Sequence, residues 1–244
     1  MDATPYRLGF LLCDHALEHL AADFGDYPEM FASAFGEVSD AIDWRVFDVT
    51  AGEFPTDNES VDGYLISGSR HGAYDDLPWI GELSKCVRKL AAGKKPIVGL
   101  CFGHQILGQA LGGRVEKSSK GWGLGLRSYQ VEQSADWMTP SLKEFSIPVC
   151  HQDQITQLPP GAVRLASSEH CENFVVQFQT NVIGIQGHPE FATDFLSALV
   201  EWRRDVLPPD VHAQALSSLT RQGQNITVKQ WIIQFLGIPP VNAT

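Results

Sequence analysis

A cysteine with a glycine two places to either side, in Gly99-Leu100-Cys101-Phe102-Gly103, is the first chemical signal in the chain. Pro96 to Leu100 reads as a short apolar strand. From Phe102 the pattern turns helical, with Ile106, Leu107, Ala110 and Leu111 on one face and Gly112-Gly113 as the stop. Cys101 therefore falls on a strand-to-helix turn, the cysteine version of a nucleophile elbow. So sharp a turn strains its central residue and crowds its neighbours against other backbone, which Gly99 and Gly103 relieve by having no side chain. A helix starting at Phe102 aims free amides and a positive dipole end at the sulfur. That favours the thiolate and could hold an oxyanion. Cys101 alone is equally compatible with a small buried hydrophobe, the usual role of a lone cysteine.

A thiolate nucleophile needs a base, and the base needs an orienting partner. Of the eight histidines, His188 follows the strand-like run "NVIGIQG", with Glu190 two residues on and Pro189 stiffening the link. An extended His-Pro-Glu lets the carboxylate reach the ring nitrogen that faces away from the sulfur. By itself this is an ordinary solvated turn. Paired with the glycine-flanked cysteine upstream, it points to thiol chemistry.

Those residues need a sheet to hold them. Tyr6–Leu12, Trp44–Val49, Tyr64–Ile66 and Ile97–Leu100 read as strands, with helices at Tyr27–Phe35, Trp79–Ala92 and Gly103–Leu111. This alternation predicts a three-layer α/β/α arrangement around a mostly parallel sheet, flavodoxin-like, with the elbow at the carboxyl edge where such folds place ligands. Between Gly125 and Ile185 come "LRSYQVEQ", "SIPVC", "AVRLASS", "ENFVVQFQ" and "NVIGIQG", short strands expected to add an antiparallel section. Phe191–Arg203 and the region Val211–Leu236 return to helix. No repeat or linker interrupts residues 1–244, which read as one domain.

Composition removes several classes. The net charge is −11 with no cluster of basic residues, which argues against nucleic acid and anionic membrane as partners. No apolar run approaches the roughly 18 residues of a membrane span, and "MDATPYRLGFLLCDH" is not a signal peptide pattern. Five cysteines without a C-x-x-C pair suggest reduced thiols and a cytoplasmic setting. On that reading the sequons at Asn225 and Asn242 go unused.

The chain resembles the class I glutamine amidotransferases, on "GLCFGHQ", "GIQGHPEF", "VDGYLISGS", "KGWGLG" and "CHQDQITQLPPGA", in family order over about residues 6–203. The likeness is nearest to stand-alone γ-glutamyl peptidases and GMP-synthase-like amidotransferase homologues. Residues 207–244 carry C-terminal helices but no usable motif. The resemblance implies Cys101 as nucleophile, His188 as base and acid, Glu190 as orienter, and the amides of Gly68 and Phe102 as oxyanion hole. It implies Gln105 and the segment His151, Gln152 and Asp153 as contacts to a glutamyl group. It implies hydrolysis of a γ-glutamyl amide without metal or cofactor, on glutamine, glutathione or a glutathione conjugate. The first expectation is a γ-glutamyl peptide or glutathione-conjugate hydrolase. The alternatives are a glutaminase subunit feeding ammonia to a separate synthase, and a non-catalytic regulatory module.

Where many relatives carry N-G-P-G, this chain has Ser67-Gly68-Ser69-Arg70. A guanidinium at position 70, facing the cleft, could bind a carboxylate on the leaving group. A rival motif, His15-x-x-Glu18-His19, fits H-x-x-E-H, which binds zinc when it lies on a helix. It follows the first strand directly, and Gly25 and Pro28 leave little helix there. A solvated loop at the cleft rim is the expectation.

Overall fold

A computed structural model of the chain describes residues 4–56 and 60–240. In chain order the elements are β1 (Tyr6–Leu12), α1 (Glu18–Phe24), α2 (Tyr27–Phe35), β2 (Ile42–Asp48), β3 (Gly63–Ile66), α3 (Pro78–Ala91), β4 (Ile97–Leu100) and α4 (Phe102–Ala110). Then come β5 (Arg114–Lys117), β6 (Gly123–Val131), β7 (Glu144–His151), β8 (Asp153–Gln157), β9 (Val163–Ser167), β10 (Val175–Gln179) and β11 (Val182–Ile185). Three helices end the chain: α5 (Thr193–Trp202), α6 (Pro209–Ser218) and α7 (Asn225–Leu236).

Nine strands form one sheet in the order β2-β1-β3-β4-β11-β10-β9-β6-β7. The first five run parallel, and from β11 onward the pairing is antiparallel. A mostly parallel centre extended by antiparallel strands is the arrangement the sequence pattern predicts. In the parallel part β3, β4 and β11 are buried throughout, which is why they read as unbroken aliphatic runs. One face packs on α3 and α4 through Leu83, Val87, Ile106 and Leu107. The other packs on α2 and α7 through Phe31, Val228, Trp231 and Ile232. Each such side chain contributes about 1.5–3 kcal/mol of burial, so α7 is bound to the sheet.

Two features depart from the sequence reading. Residues Glu18–Phe24 are helical, and Phe24 packs edge-on against Phe195 at 5.5 Å between ring centres. Tertiary docking thus stabilises a helix that is too short to persist alone. Arg114–Lys117 and Asp153–Gln157 pair as a separate antiparallel ribbon. Only Val115 of the first strand is buried, so it gives almost no apolar signal. The terminal helical region is two helices, α6 and α7. Asn242 lies outside the described residues.

Candidate active site

Register places the site. Gly99 and Leu100 of β4 lie opposite Gly184 and Ile185 of β11, so Cys101 and the turn after Ile185 emerge at the same sheet edge. The Cys101 amide donates to the Ile185 carbonyl (2.9 Å) and its own carbonyl accepts from Gln105 (3.0 Å), which opens α4. Cys101 has φ 51° and ψ −102°, and it is the only non-glycine with positive φ among the described residues. That is a strained conformation, held by the packing of β4 against α4. A Cβ on Gly99 would collide with the Gly103 carbonyl, and one on Gly103 with the Ile66 carbonyl. Both glycines are therefore needed for the elbow to close.

His188 and Glu190 lie on the turn after β11. His188 Nδ1 is 2.7 Å from Glu190 Oε1, with both side chains almost wholly buried. The Phe191 ring lies flat against the imidazole, with ring centres 4.0 Å apart and planes 3° from parallel, and the His188 amide donates to the Pro148 carbonyl. Position and tilt of the ring are thus set on three sides. Burial opposes charging of His188. The nearby Cys101 sulfur and the Glu190 carboxylate outweigh it and hold the ring well above the usual histidine range.

The amides of Gly68 and Phe102 donate to no other group among the described residues. Phe102 is the first residue of α4, where N–H groups have no helical partner. A Cβ at Gly68 would stand 3.0 Å from His188 Cε1 and 3.8 Å from Cys101 Cβ. Glycine there spares His188 that close contact. Free amides beside a thiol can stabilise a tetrahedral oxyanion.

The expected glutamyl contacts are arranged unequally. Gln105 Nε2 donates to the Asp153 carbonyl (2.9 Å) and to Gln186 Oε1 (3.1 Å), so its donors tie α4 to β8 and to the turn after β11. Gln186 Nε2 in turn donates to Cys101 Sγ at 3.6 Å. The sequence reading assigned Gln186 nothing, although it stands two residues before His188. His151 is fully buried, with Nδ1 near the Asp153 carbonyl (3.1 Å), and burial lowers its pKa to about 3. It is therefore neutral. Gln152 is half-buried and its carbonyl accepts from Ser118. Burial raises the Asp153 carboxyl against the Tyr74 hydroxyl, which lowers it.

Arg70 is committed elsewhere. Its Nε lies 2.8 and 3.0 Å from the two Asp14 oxygens, and its Nη2 donates to the His15 carbonyl (2.7 Å). His15 precedes α1, with Nδ1 2.6 Å from Asp26 and Nε2 3.1 Å from Asp48. His19 lies beside Trp202. Both ring nitrogens of His15 are occupied, and among the described residues no three His, Cys, Asp or Glu side chains converge as a metal site. His15 does stand at the rim of a cleft.

That cleft opens beside the sulfur. Cys101 and His188 form its floor, the 14–17 segment with Leu20 forms one wall, and α5 forms the other. The turn that carries His188 is braced from behind by α7, whose Asn225 side chain donates to the carbonyls of Pro189 (3.3 Å) and Phe191 (3.2 Å). This gives a role to the segment that had no motif.

A family model for class-I glutamine amidotransferases matches residues 20–195. Over 204 residues the chain is 35% identical to γ-glutamyl peptidase 3 of Arabidopsis thaliana, covering 80% of each chain. Over 187 residues it is 37% identical to γ-glutamyl peptidase 5 of the same organism, covering 73% of each. The crystal structure of a glutamine amidotransferase from Thermotoga maritima matches with a TM-score of 0.76 at 19% identity, over 96% of this chain and 99% of that one, a likeness of fold. No helix among the described residues is long and apolar enough to cross a membrane. With more than half its length matched and peptidase relatives above 30% identity, the chain belongs to the class-I glutamine amidotransferase family and is a cysteine hydrolase of that type.

Proposed function

We propose that the chain hydrolyses γ-glutamyl peptides, with glutathione and its S-conjugates in the substrate class, through a thioester on Cys101. The observation that carries this reading is the cleft: it continues past His188 into a chamber between α1 and α5. Ammonia as leaving group needs no such space. An amino acid or peptide does. The similarity to the two γ-glutamyl peptidases supports the same choice.

The Cys101 thiolate attacks the γ-carbonyl, and the carbonyl oxygen becomes an oxyanion held by the Gly68 and Phe102 amides. The C–N bond breaks as imidazolium His188 gives its proton to the departing nitrogen, leaving a γ-glutamyl thioester. His188 then takes a proton from water, the hydroxide adds to the thioester carbonyl, and the C–S bond breaks to give glutamate and thiolate. Glu190 keeps the ring in the orientation that both transfers use. Gln105, His151, Gln152 and Asp153 remain the candidates for the glutamyl side.

Glutamate release from glutamine, glutathione, a glutathione S-conjugate and γ-glutamyl dipeptides tests the reading. The expected result is a higher kcat/KM for a peptide or conjugate than for glutamine. A clear preference for glutamine would instead make this chain a glutaminase working with a separate synthase.

A further inference from the structure

The chamber beyond His188 contains a cation with no counter-ion. Arg203 follows α5 and lines the cleft together with Cys101 and His188. Its guanidinium carbon lies 4.9 Å from the ring centre of Trp122 and 5.4 Å from that of Trp202. Nε is buried without a hydrogen-bond partner, and no carboxylate among the described residues pairs with Arg203. The neighbouring Cys150 thiol does not neutralise it. Burial raises that thiol against the pull of the guanidinium, so it stays protonated. The indoles hold the cation in place and leave its Nε without an acceptor, with the Cys150 thiol its one side-chain hydrogen-bond neighbour among the described residues, whereas Arg70 across the cleft is bonded to Asp14 and to the His15 carbonyl. A partly desolvated guanidinium lacking its acceptor is costly until something supplies a negative oxygen.

On the α1 and α5 sides the chamber wall is apolar. Leu17 and Leu20 face Phe195 and Leu199 across the chamber. That wall suits an aliphatic side chain. A leaving group beside His188 would thus meet one unpaired cation and one aliphatic wall.

We propose that Arg203 receives a free carboxylate of the leaving group, and that the preferred substrates are γ-glutamyl amino acids whose second residue carries an aliphatic side chain. This rests on the γ-glutamyl hydrolase reading above. With the scissile carbonyl over Cys101 and the departing nitrogen at His188, the second residue presents two substituents to the chamber. Its carboxylate goes to Arg203 and its side chain to the α1–α5 wall. Free ammonia carries neither.

The test compares γ-glutamyl-valine with its C-terminal amide, in the wild type, R203Q and R203K. The wild type should favour the acid by about tenfold or more in kcat/KM, the range of one charge-assisted hydrogen bond. R203Q should bring the ratio near one, mainly by raising KM for the acid, and R203K should restore part of it. A wild-type ratio near one overturns the role of Arg203, as does an R203Q that slows both substrates equally. The wild-type ratio decides even if R203Q fails to fold. Failure of the wild type on both dipeptides, with glutamine turned over well, sinks the peptidase reading itself. Hydrolysis of both at equal rates sinks only the carboxylate receptor.

Discussion

Gln186 points its side-chain amide at the Cys101 sulfur from 3.6 Å, while its own carbonyl oxygen accepts from Gln105 at 3.1 Å. A buried glutamine thus links the middle of α4 to the nucleophile. An N–H donor aimed at sulfur is worth more to a thiolate than to a thiol. Gln186→Leu removes that donor and strands Gln105. The expected outcome is iodoacetamide alkylation of Cys101 slowed roughly tenfold at fixed pH, with kcat/KM reduced at least as much. An unchanged alkylation rate would show that the contact does nothing for the sulfur.

The cysteines should separate cleanly. Burial pushes the Cys13 and Cys171 thiols far up and the Cys86 thiol up to about 11, so all three are poor nucleophiles near neutrality. Cys101→Ala should lower kcat by about three orders of magnitude or more, as loss of a triad nucleophile does, while Cys13→Ala and Cys171→Ala retain turnover. Mass mapping after brief alkylation should find label at Cys101. First label elsewhere, or equal loss on replacing Cys13, would remove Cys101 from the mechanism.

The pH profile follows from His188. Its folded pKa lies well above the ordinary histidine value because the Cys101 sulfur and the Glu190 carboxylate outweigh burial. Loss of the imidazolium proton should therefore set an alkaline limb well above pH 6.5, the unperturbed histidine value. Glu190→Gln removes one of the two charges, so that limb should move to lower pH and kcat should fall by about two to four orders of magnitude. An alkaline limb in the same place in both proteins would separate Glu190 from His188.

His15 supports the cleft rim through Asp26 and Asp48, and its pKa is raised chiefly by the Asp26 bond, against burial, with help from Asp48. Asp14, Arg70 and Glu53 are the other charged groups around it. A raised folded pKa contributes fully below the unfolded value near 6.5 and is lost as pH rises through the folded one. Amides 14–16 should then be better protected from hydrogen exchange, corrected for intrinsic rate, at pH 6 than at pH 9. Equal protection, or the same pH trend in His15→Gln, would exclude this support of the rim.

What was legible in the sequence is what is local. Gly99, Cys101 and Gly103 announce a strained turn because the glycines adjoin the residue they relieve. His188 and Glu190 are two apart, so their contact needs no knowledge of the fold. Parallel strands declared themselves as unbroken aliphatic runs. Arg70 was harder, since its partner Asp14 is 56 positions away and nothing near either residue marks the pair. Gln186 stood in an already conspicuous run, yet only the pairing of β11 with β4 turns it toward Cys101. The helix at Glu18–Phe24 was hidden by Gly25 and Pro28, and it exists because α5 lies against it.

The clamp from α7 bears on a different process. Asn225 heads an Asn-Ile-Thr sequon, and its side-chain nitrogen already serves two carbonyls of the turn that holds Glu190. A sugar on that nitrogen would displace a hydrogen-bonded hydrogen and would have to grow from a half-buried position beneath the turn. The folded chain is therefore a closed acceptor for N-linked glycan. Only a transferase meeting the polypeptide before α7 docks could read the signal, and the product would lack the brace on the turn that carries Glu190.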